Sequence, residues 1–386
     1  MFAYKKNWQT VKKVSAFVKF VIHLNGKLIS NTIKKENTMS TETYEHLNTN
    51  ILVGYTAQRG TAWHYKKELQ GAESNHYDGA IPSEDIARRL FNWEAVSKPL
   101  YIKVDATIEN CDGINDDGTP YKFIVAENRK AIVRSDNNHL FEIFTNGYTS
   151  HQYKEWLLTN LGNMIDDDIN FGSAGLLKNG GVAFVSLEMP ENVTVLEGFE
   201  VRPHLLATTS HNGRLATTYK SVSTFVVCDN THSMAMAESG AQFKAKHSGK
   251  AGLKIQSARE ALGLVMAVKD DIVSRILELS EFKVSENDFM KVLNTIVPKI
   301  DETDETISST IKTRNSEKRN SIVGLYNSDN RVAPWKGSAL GVLQAFNTYE
   351  QHFGGRDANR IERNYMNTLQ GVSENKDSKV LEILGV

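Results

Sequence analysis

The pattern of apolar and polar residues changes along the chain, from strand-like in the first two-thirds to helical in the last third. Apolar and polar positions alternate through Lys98–Ile108, whereas Val182–Met189 and Ser223–Cys228 are rich in apolar and β-branched residues. From Gln256 onward apolar residues recur every three or four positions, which is typical of a helix with one buried face. Strands followed by helices predict an α+β fold with an antiparallel or mixed β-sheet core and a helical C-terminal third.

Turn and cap residues mark where some of these elements begin and end. His211–Gly213 separates the β-rich segments Arg202–Thr209 and Leu215–Ser221, and an Asn-Gly pair there predicts a hairpin whose turn has a positive φ. Glu127–Lys130 also lies between two β-rich segments, which predicts a second hairpin. Ser285–Asp288 has the sequence of a capping box, so we expect a helix to begin there.

Charge divides the chain into unequal parts. Residues 1–38 hold eight lysines and one glutamate, a charge of +7, and because the whole chain carries −1 the remainder carries −8. Lys19 and His23 interrupt the apolar run of this segment, and no small-residue cleavage site follows, which argues against a signal peptide. We therefore predict a basic flexible extension over 1–38, a strand-rich α+β core over 39–255, and a helical C-terminal region over 256–386 that packs on the core.

The composition argues against several classes of protein. No stretch approaches the roughly 20 apolar residues that cross a bilayer, so no membrane partner is expected. Cys111 and Cys228 form no CxxC pair and suit a reducing compartment, which predicts a cytoplasmic location. The histidines are scattered, the acidic loop Asp112–Asp117 lacks a calcium-loop pattern, and no glycine string has the order GxxxxGK[ST]. We therefore predict no metal and no cofactor.

Six local strings occur in an order and spacing shared with one family. They are Arg134–Asp136, Gly172–Leu177 with Asn179–Gly181, Ser210–Gly213, Val227–Thr231, Lys246–Ser248, and Lys336–Ala339 followed by Ala345–His352. Over roughly residues 50–355 the chain resembles the phage/plasmid-like proteins of domain-of-unknown-function family 932. Two departures are Asp229, where the family pattern has Asn, and Asn137–Asn138, where it has a Thr-Gly-like turn. The resemblance implies a mobile element in a bacterial host cell, often among genes of DNA processing, and hence a role in DNA metabolism.

One stretch of the folded region is basic and contains no acid. The residues of this stretch are Phe243, Lys244, Lys246, His247, Lys250, Lys254 and Arg259. The neighbouring hairpin adds three cations, Arg202, Arg214 and Lys220. Such cations would contact a phosphate backbone, and Phe243 or Tyr219 would stack on bases. The alternative interpretation is a solvated loop that precedes the long helix.

Our first hypothesis from the sequence is therefore a non-enzymatic accessory of DNA metabolism. It would bind single-stranded DNA, assist strand annealing or recombination, and act as a homo-oligomer. The second hypothesis is an enzyme acting on nucleic acid through one polar pocket of Arg134, Asp136, Asp229, His232 and His247, in which Asp229 and His232 would form an acid/base pair. The third is a structural or interaction protein of a virion.

Overall fold

A computed structural model describes residues 41–61, 67–162, 165, 169–188, 192–225, 230–233, 242–247, 271–355 and 357–386. These residues belong to the unit Thr38–Val386. The extension predicted over residues 1–38 lies outside the described residues, as does the first part of the long helix predicted from Gln256.

The strands of the described part of the chain form two antiparallel sheets. They are β1 (Ile51–Val53), β2 (Ala95–Asp105), β3 (Gly113–Ile114), β4 (Pro120–Arg134), β5 (Leu140–Thr145), β6 (Asn170–Leu177), β7 (Val182–Glu188), β8 (Val193–Leu196), β9 (Phe199–Ser210), β10 (Thr217–Phe225), β11 (Asn230–Ser233) and β12 (Gln242–Ala245). The large sheet has the order β1-β6-β7-β9-β10-β11, with β8 beside β9 and β12 beside β10. The small sheet has the order β2-β4-β3, with β5 beside β4.

The longer helices follow the strands. The described helices are α1 (Thr41–Asn50), α2 (Thr56–Arg59), α3 (Ser83–Arg89), α4 (Asn160–Gly162, directly after the π-helical turns of Lys154–Thr159), α5 (271–281), α6 (Glu286–Ile296), α7 (Ser309–Ser328), α8 (Ala339–Thr348, continued by the π-helical turn Tyr349–Phe353), α9 (Asp357–Gln370) and α10 (Val372–Leu384). Short 3-10 turns occupy Lys67–Leu69, Ile108–Asn110, Lys178–Gly180 and Ala333–Trp335. The predicted α+β class is confirmed, with antiparallel sheets first and helices in the C-terminal region.

Both faces of the large sheet are buried. Val185 and Leu205 pack with α3 and the helical turns around Leu157, whereas Phe184 and Leu206 point the other way and pack on α9. Successive residues of a strand point to opposite faces, so a strand covered on both sides needs an apolar residue at nearly every position. This requirement explains the continuous apolar run of β7.

The helical region has its own hydrophobic core, and residues of the large sheet belong to that core. Phe199 and Val201 of the sheet are buried together with side chains of α5–α8 and α10. The predicted capping box is confirmed, because the Ser285 hydroxyl accepts a hydrogen bond from Asp288 N and the Asp288 carboxylate accepts one from Ser285 N. The two reciprocal bonds satisfy backbone donors that the first turn of α6 leaves unpaired.

The two predicted hairpins have different outcomes. The hairpin at His211–Gly213 is confirmed, since β9 and β10 are antiparallel neighbours and Gly213 has φ 71°. The hairpin at Glu127–Lys130 is wrong, because these residues lie within the single strand β4. The pairing register shifts beside Pro99 of β2, which has no N–H to donate, and β4 accommodates the broken ladder with a bulge.

Gly341 and Gly324 offer a paired test of helix packing. A Cβ at Gly341 of α8 would lie 2.1 Å from the Trp335 carbonyl oxygen, whereas a Cβ at Gly324 of α7 would have no atom within 4 Å. We expect Gly341→Ala to lower the free energy of unfolding by about 1–3 kcal/mol through overpacking. Gly324→Ala should raise it by about 0.5–1 kcal/mol, because alanine favours the helix. Urea unfolding measures both, and equal signs would contradict this packing of α8.

Candidate functional site

Five aromatic rings form one continuous stack beside the end of the large sheet, which we call the ring column. Its members, from the surface inward, are Phe144, Tyr148, His247, His151 and Trp156. Successive ring centroids are 3.8, 5.1, 4.2 and 3.7 Å apart, and the planes of each pair lie within 14° of parallel. The outer two rings and His247 are half-buried, and the inner two are buried.

The sheet holds the two histidines of the ring column through threonine hydroxyls. The Thr217 hydroxyl lies 2.6 Å from Nδ1 of His151 and 2.7 Å from the Thr209 hydroxyl. The Thr209 hydroxyl is in turn 3.2 Å from Nε2 of His247. A backbone bond from Thr149 N to the His247 carbonyl, at 3.3 Å, joins the segment after β5 to the end of β12.

A third histidine, His211, lies in an apolar pocket at the start of the β9–β10 connection. Its ring stacks on Tyr153 at 4.0 Å and contacts the rings of Trp93 and Phe141 at 5.9 and 5.5 Å. The side chain is fully buried, and within the described residues neither ring nitrogen has a hydrogen-bond partner. Burying two unpaired polar atoms costs free energy, so the ring nitrogens of His211 do not stabilise the fold.

Burial keeps these three histidines uncharged at neutral pH. It lowers the pKa of His151 and of His211 to about 3, with a further contribution from the neighbouring histidines. It lowers the pKa of His247 to about 4, although the interaction of the His247 ring with the Thr149 backbone acts to raise it. The rings therefore act as apolar, stacking surfaces and not as proton carriers near pH 7.

The described residues of the predicted polar pocket lie in separate parts of the structure. Arg134 and Asp136 form an ion pair with two bonds of 2.8 and 2.9 Å, and the guanidinium also lies over the Trp93 ring at 4.2 Å. His247 belongs to the ring column. His232 lies on β11 opposite Ser223, which places it about 20 Å along β10 from Thr217 at roughly 3.3 Å per residue. Asp229 lies outside the described residues.

The predicted nucleic-acid-binding cations also differ in their surroundings. Lys244 of β12, Lys246 just after β12 and Arg214 of the β9–β10 connection are exposed, and no ion pair involves them among the described residues. Lys220 is buried, and its ammonium donates to the Thr368 carbonyl of α9 at 2.8 Å, so it faces no solvent groove. Arg202 is half-buried and donates to the Asn192 side chain at 3.1 Å.

The remaining residues of that prediction are largely outside the described part of the chain. The backbone of Phe243 lies on β12 opposite Tyr219, whose own ring is buried and whose hydroxyl donates to the Trp156 carbonyl at 2.6 Å. Tyr219 is therefore not a free stacking surface. Lys250, Lys254 and Arg259 lie outside the described residues.

A buried ion pair on the large sheet was not predicted from the sequence. Arg59 donates to the Glu188 carboxylate, and both side chains are less than a tenth exposed, at 6% and 7%. Burial acts to raise the pKa of Glu188, but the positive charge of His204, Arg59 and Arg202 outweighs it and lowers the pKa to about 2. Gly172 makes room for this carboxylate, since a Cβ there would lie 2.3 Å from it.

The described residues give no support for a metal site or for a membrane-spanning helix. No group of three or more histidine, cysteine or acidic side chains is arranged there to hold a metal ion. None of the helices described combines the length and apolar composition that a membrane span requires.

Comparison with known proteins gives one match. Residues 141–371, more than half of the chain, match the family described as Domain of unknown function (DUF932). No curated protein and no solved structure matches the chain. The matched region contains the whole ring column together with Arg214, Lys244 and Lys246. The chain belongs to the DUF932 family.

Proposed function

We propose that this protein is a non-enzymatic nucleic-acid-binding accessory of a phage or plasmid, acting in the cytoplasm of a bacterial host cell. Its ligand would be single-stranded DNA during strand annealing or recombination. The observation that carries the proposal is the exposed basic surface of Arg214, Lys244 and Lys246, in a region whose net charge is otherwise negative. Cations without competing carboxylates are the main source of affinity for a phosphate backbone.

The basic surface adjoins the outer end of the ring column. Lys246 directly precedes His247, and a Cβ on Gly213, the neighbour of Arg214, would approach the Phe144 ring to 3.0 Å. Proteins that bind single strands combine a basic groove with rings on which unpaired bases stack. The half-buried rings of Phe144 and Tyr148 would supply that stacking surface.

The surroundings of the histidines favour binding over catalysis. An enzyme that uses Arg134, Asp136, Asp229, His232 and His247 needs a histidine that a substrate can reach. Tyr148 and His151 cover both faces of the His247 ring, and burial holds its pKa at about 4. A ring so enclosed and so weakly basic is a poor general base near pH 7.

The basic surface can be tested by a salt titration. Replacing Arg214, Lys244 and Lys246 together by glutamine should weaken binding of an unstructured thymidine oligonucleotide. It should also flatten the slope of log affinity against log salt by about 2, because each lost contact with a single strand contributes about 0.7. Phe144→Leu keeps apolar bulk and should lower affinity by about 1–3 kcal/mol while leaving the slope nearly unchanged. Fluorescence anisotropy at several salt concentrations measures both quantities.

A charge-matched control separates this surface from general charge loss. Lys291, Lys299 and Arg314 are exposed in the helical region, so their triple glutamine variant removes the same charge elsewhere. It should bind like the unmodified protein. Equal losses in the two triple variants would contradict the assigned surface. An unmodified protein that binds neither single- nor double-stranded DNA at low salt would remove the proposal altogether.

A further inference from the structure

The small sheet extends into a hairpin that no other segment covers among the described residues, and we call this hairpin the arm. It consists of Tyr101–Asp105 of β2 paired with Tyr121–Val125 of β4. The strand β5 reaches only Arg129–Val133, and β3 pairs with β4 only at Pro120 and Tyr121. The arm is therefore a two-stranded ribbon over most of its length, and such ribbons are marginally stable in water when they stand alone.

Both faces of the arm carry large apolar side chains in solvent. On one face Tyr101 is 55% exposed, Phe123 49% and Val125 51%, and on the other Ile102 is 48% exposed and Ile124 43%. Directly opposed residues share a face, which places Tyr101 beside Val125 and Phe123 beside Lys103. A contiguous apolar surface of this kind marks a protein–protein contact.

The charges of the arm differ between its two ends. The outer end is acidic, because the exposed residues Asp105, Glu109, Asp112, Asp116 and Asp117 outnumber Lys103 and Lys122. The inner end is basic, because Lys98, Arg129 and Lys130 outnumber Glu127, and the apolar residues lie between the two ends. The acidic end would repel both a phosphate backbone and an anionic membrane surface, so the fitting partner is a protein.

We propose that the arm is the dimer contact of this protein, in which two copies pack arm on arm in antiparallel orientation. A two-fold axis near Tyr101 and Phe123 brings these rings of the two copies together. It also sets the acidic end of each arm against the basic end of the other, whereas a parallel arrangement would place acid against acid. The arm thus has the charge and apolar pattern that a second copy of itself complements.

The apolar contact is tested by the mass of the full chain in solution. The unmodified protein should be a dimer by analytical ultracentrifugation, and the double variant Tyr101→Glu/Phe123→Glu should be a monomer. Burial of each ring is worth roughly a tenfold factor or more in the dissociation constant. Ile311→Glu changes an exposed apolar residue of α7 and should leave the dimer intact. A monomeric unmodified protein, or a double variant that stays dimeric, would overturn the proposal.

Two charge-reversed variants test the antiparallel orientation. One reverses the acidic end, as Glu109→Lys/Asp116→Lys, and the other reverses the basic end, as Lys98→Glu/Arg129→Glu. Each alone should dissociate more readily than the unmodified dimer, because like charges then face each other across the axis. An equal mixture should restore a dimer, since both contacts of the mixed pair are complementary. A mixture that dissociates like its components would rule out the antiparallel contact. Both variants leave Arg214, Lys244 and Lys246 unchanged, so DNA binding is measured independently.

Discussion

His211→Phe is expected to make the protein more resistant to acid while leaving its stability at neutral pH nearly unchanged. Phenylalanine preserves a flat ring against Tyr153 and removes two ring nitrogens that have no partner within the described residues. We therefore expect the free energy of unfolding at pH 7 to change by no more than about 1 kcal/mol. The benefit should emerge as the pH falls.

The direction of the pH effect follows from the lowered pKa of His211. The group has a pKa of 6.5 when solvated and about 3 in the folded protein, so between these values only the unfolded chain takes up the proton. Above pH 6.5 the titration of His211 does not reduce the free energy of unfolding. Below pH 6.5 it reduces the free energy of unfolding progressively as the pH falls towards 3. The loss amounts to about 1.4 kcal/mol per pH unit, or about 2 kcal/mol at pH 5. His211→Phe removes this loss.

Urea unfolding gives the free energy of unfolding of the variant and of the unmodified protein at pH 7 and at pH 5. The difference between the two proteins should be larger at pH 5 than at pH 7. His139→Phe is the control, because it makes the same replacement at an exposed histidine. A His211 variant that differs from the unmodified protein by the same amount at both pH values would show that the ring is not held neutral. His151 and His247 should continue to destabilise both proteins in acid.

Local chemistry accounts for what the sequence predicted well. A capping box and an Asn-Gly turn each depend on a few neighbouring residues, so Ser285–Asp288 and Asn212–Gly213 could be assigned without knowledge of the rest. Local chemistry also explains Asn138, which belongs to one of the two departures from the family pattern. It adopts φ 59° after β4, a conformation that asparagine tolerates better than most residues, and so replaces the expected glycine.

Contacts between distant segments account for what the sequence did not predict. The ring column joins Phe144–Trp156 to His247, which are distant in sequence and meet beside the pairing of β10 with β12. Lys220 looked like a surface cation, but α9 covers it 148 residues later in the chain. The hairpin at Glu127–Lys130 failed for a similar reason, since the bulge depends on Pro99 of the partner strand.

Arg59→Ala is expected to cause the largest loss of stability, about 3–5 kcal/mol at pH 7. Removal of the guanidinium leaves the Glu188 carboxylate buried without its ion-pair partner, and a buried charge that has lost its partner is costly. The variant should lose less relative to the unmodified protein at pH 3. The pKa of Glu188 is about 2 in the intact pair and rises without Arg59, so acid neutralises the carboxylate sooner in the variant. Urea unfolding at both pH values measures the difference.

An exposed ion pair and a double variant complete this test. Arg88 pairs with Glu73 at 2.6 Å, but the two side chains are 54% and 51% exposed, so Arg88→Ala should lower the free energy of unfolding far less than Arg59→Ala does. Adding Glu188→Gln to Arg59→Ala removes the stranded charge and keeps an acceptor for the Ser186 hydroxyl. It should recover a substantial part of the loss. A double variant less stable than Arg59→Ala would mean that the guanidinium acts by packing on Tyr55, whose ring it overlies at 4.7 Å, and not by neutralising the carboxylate.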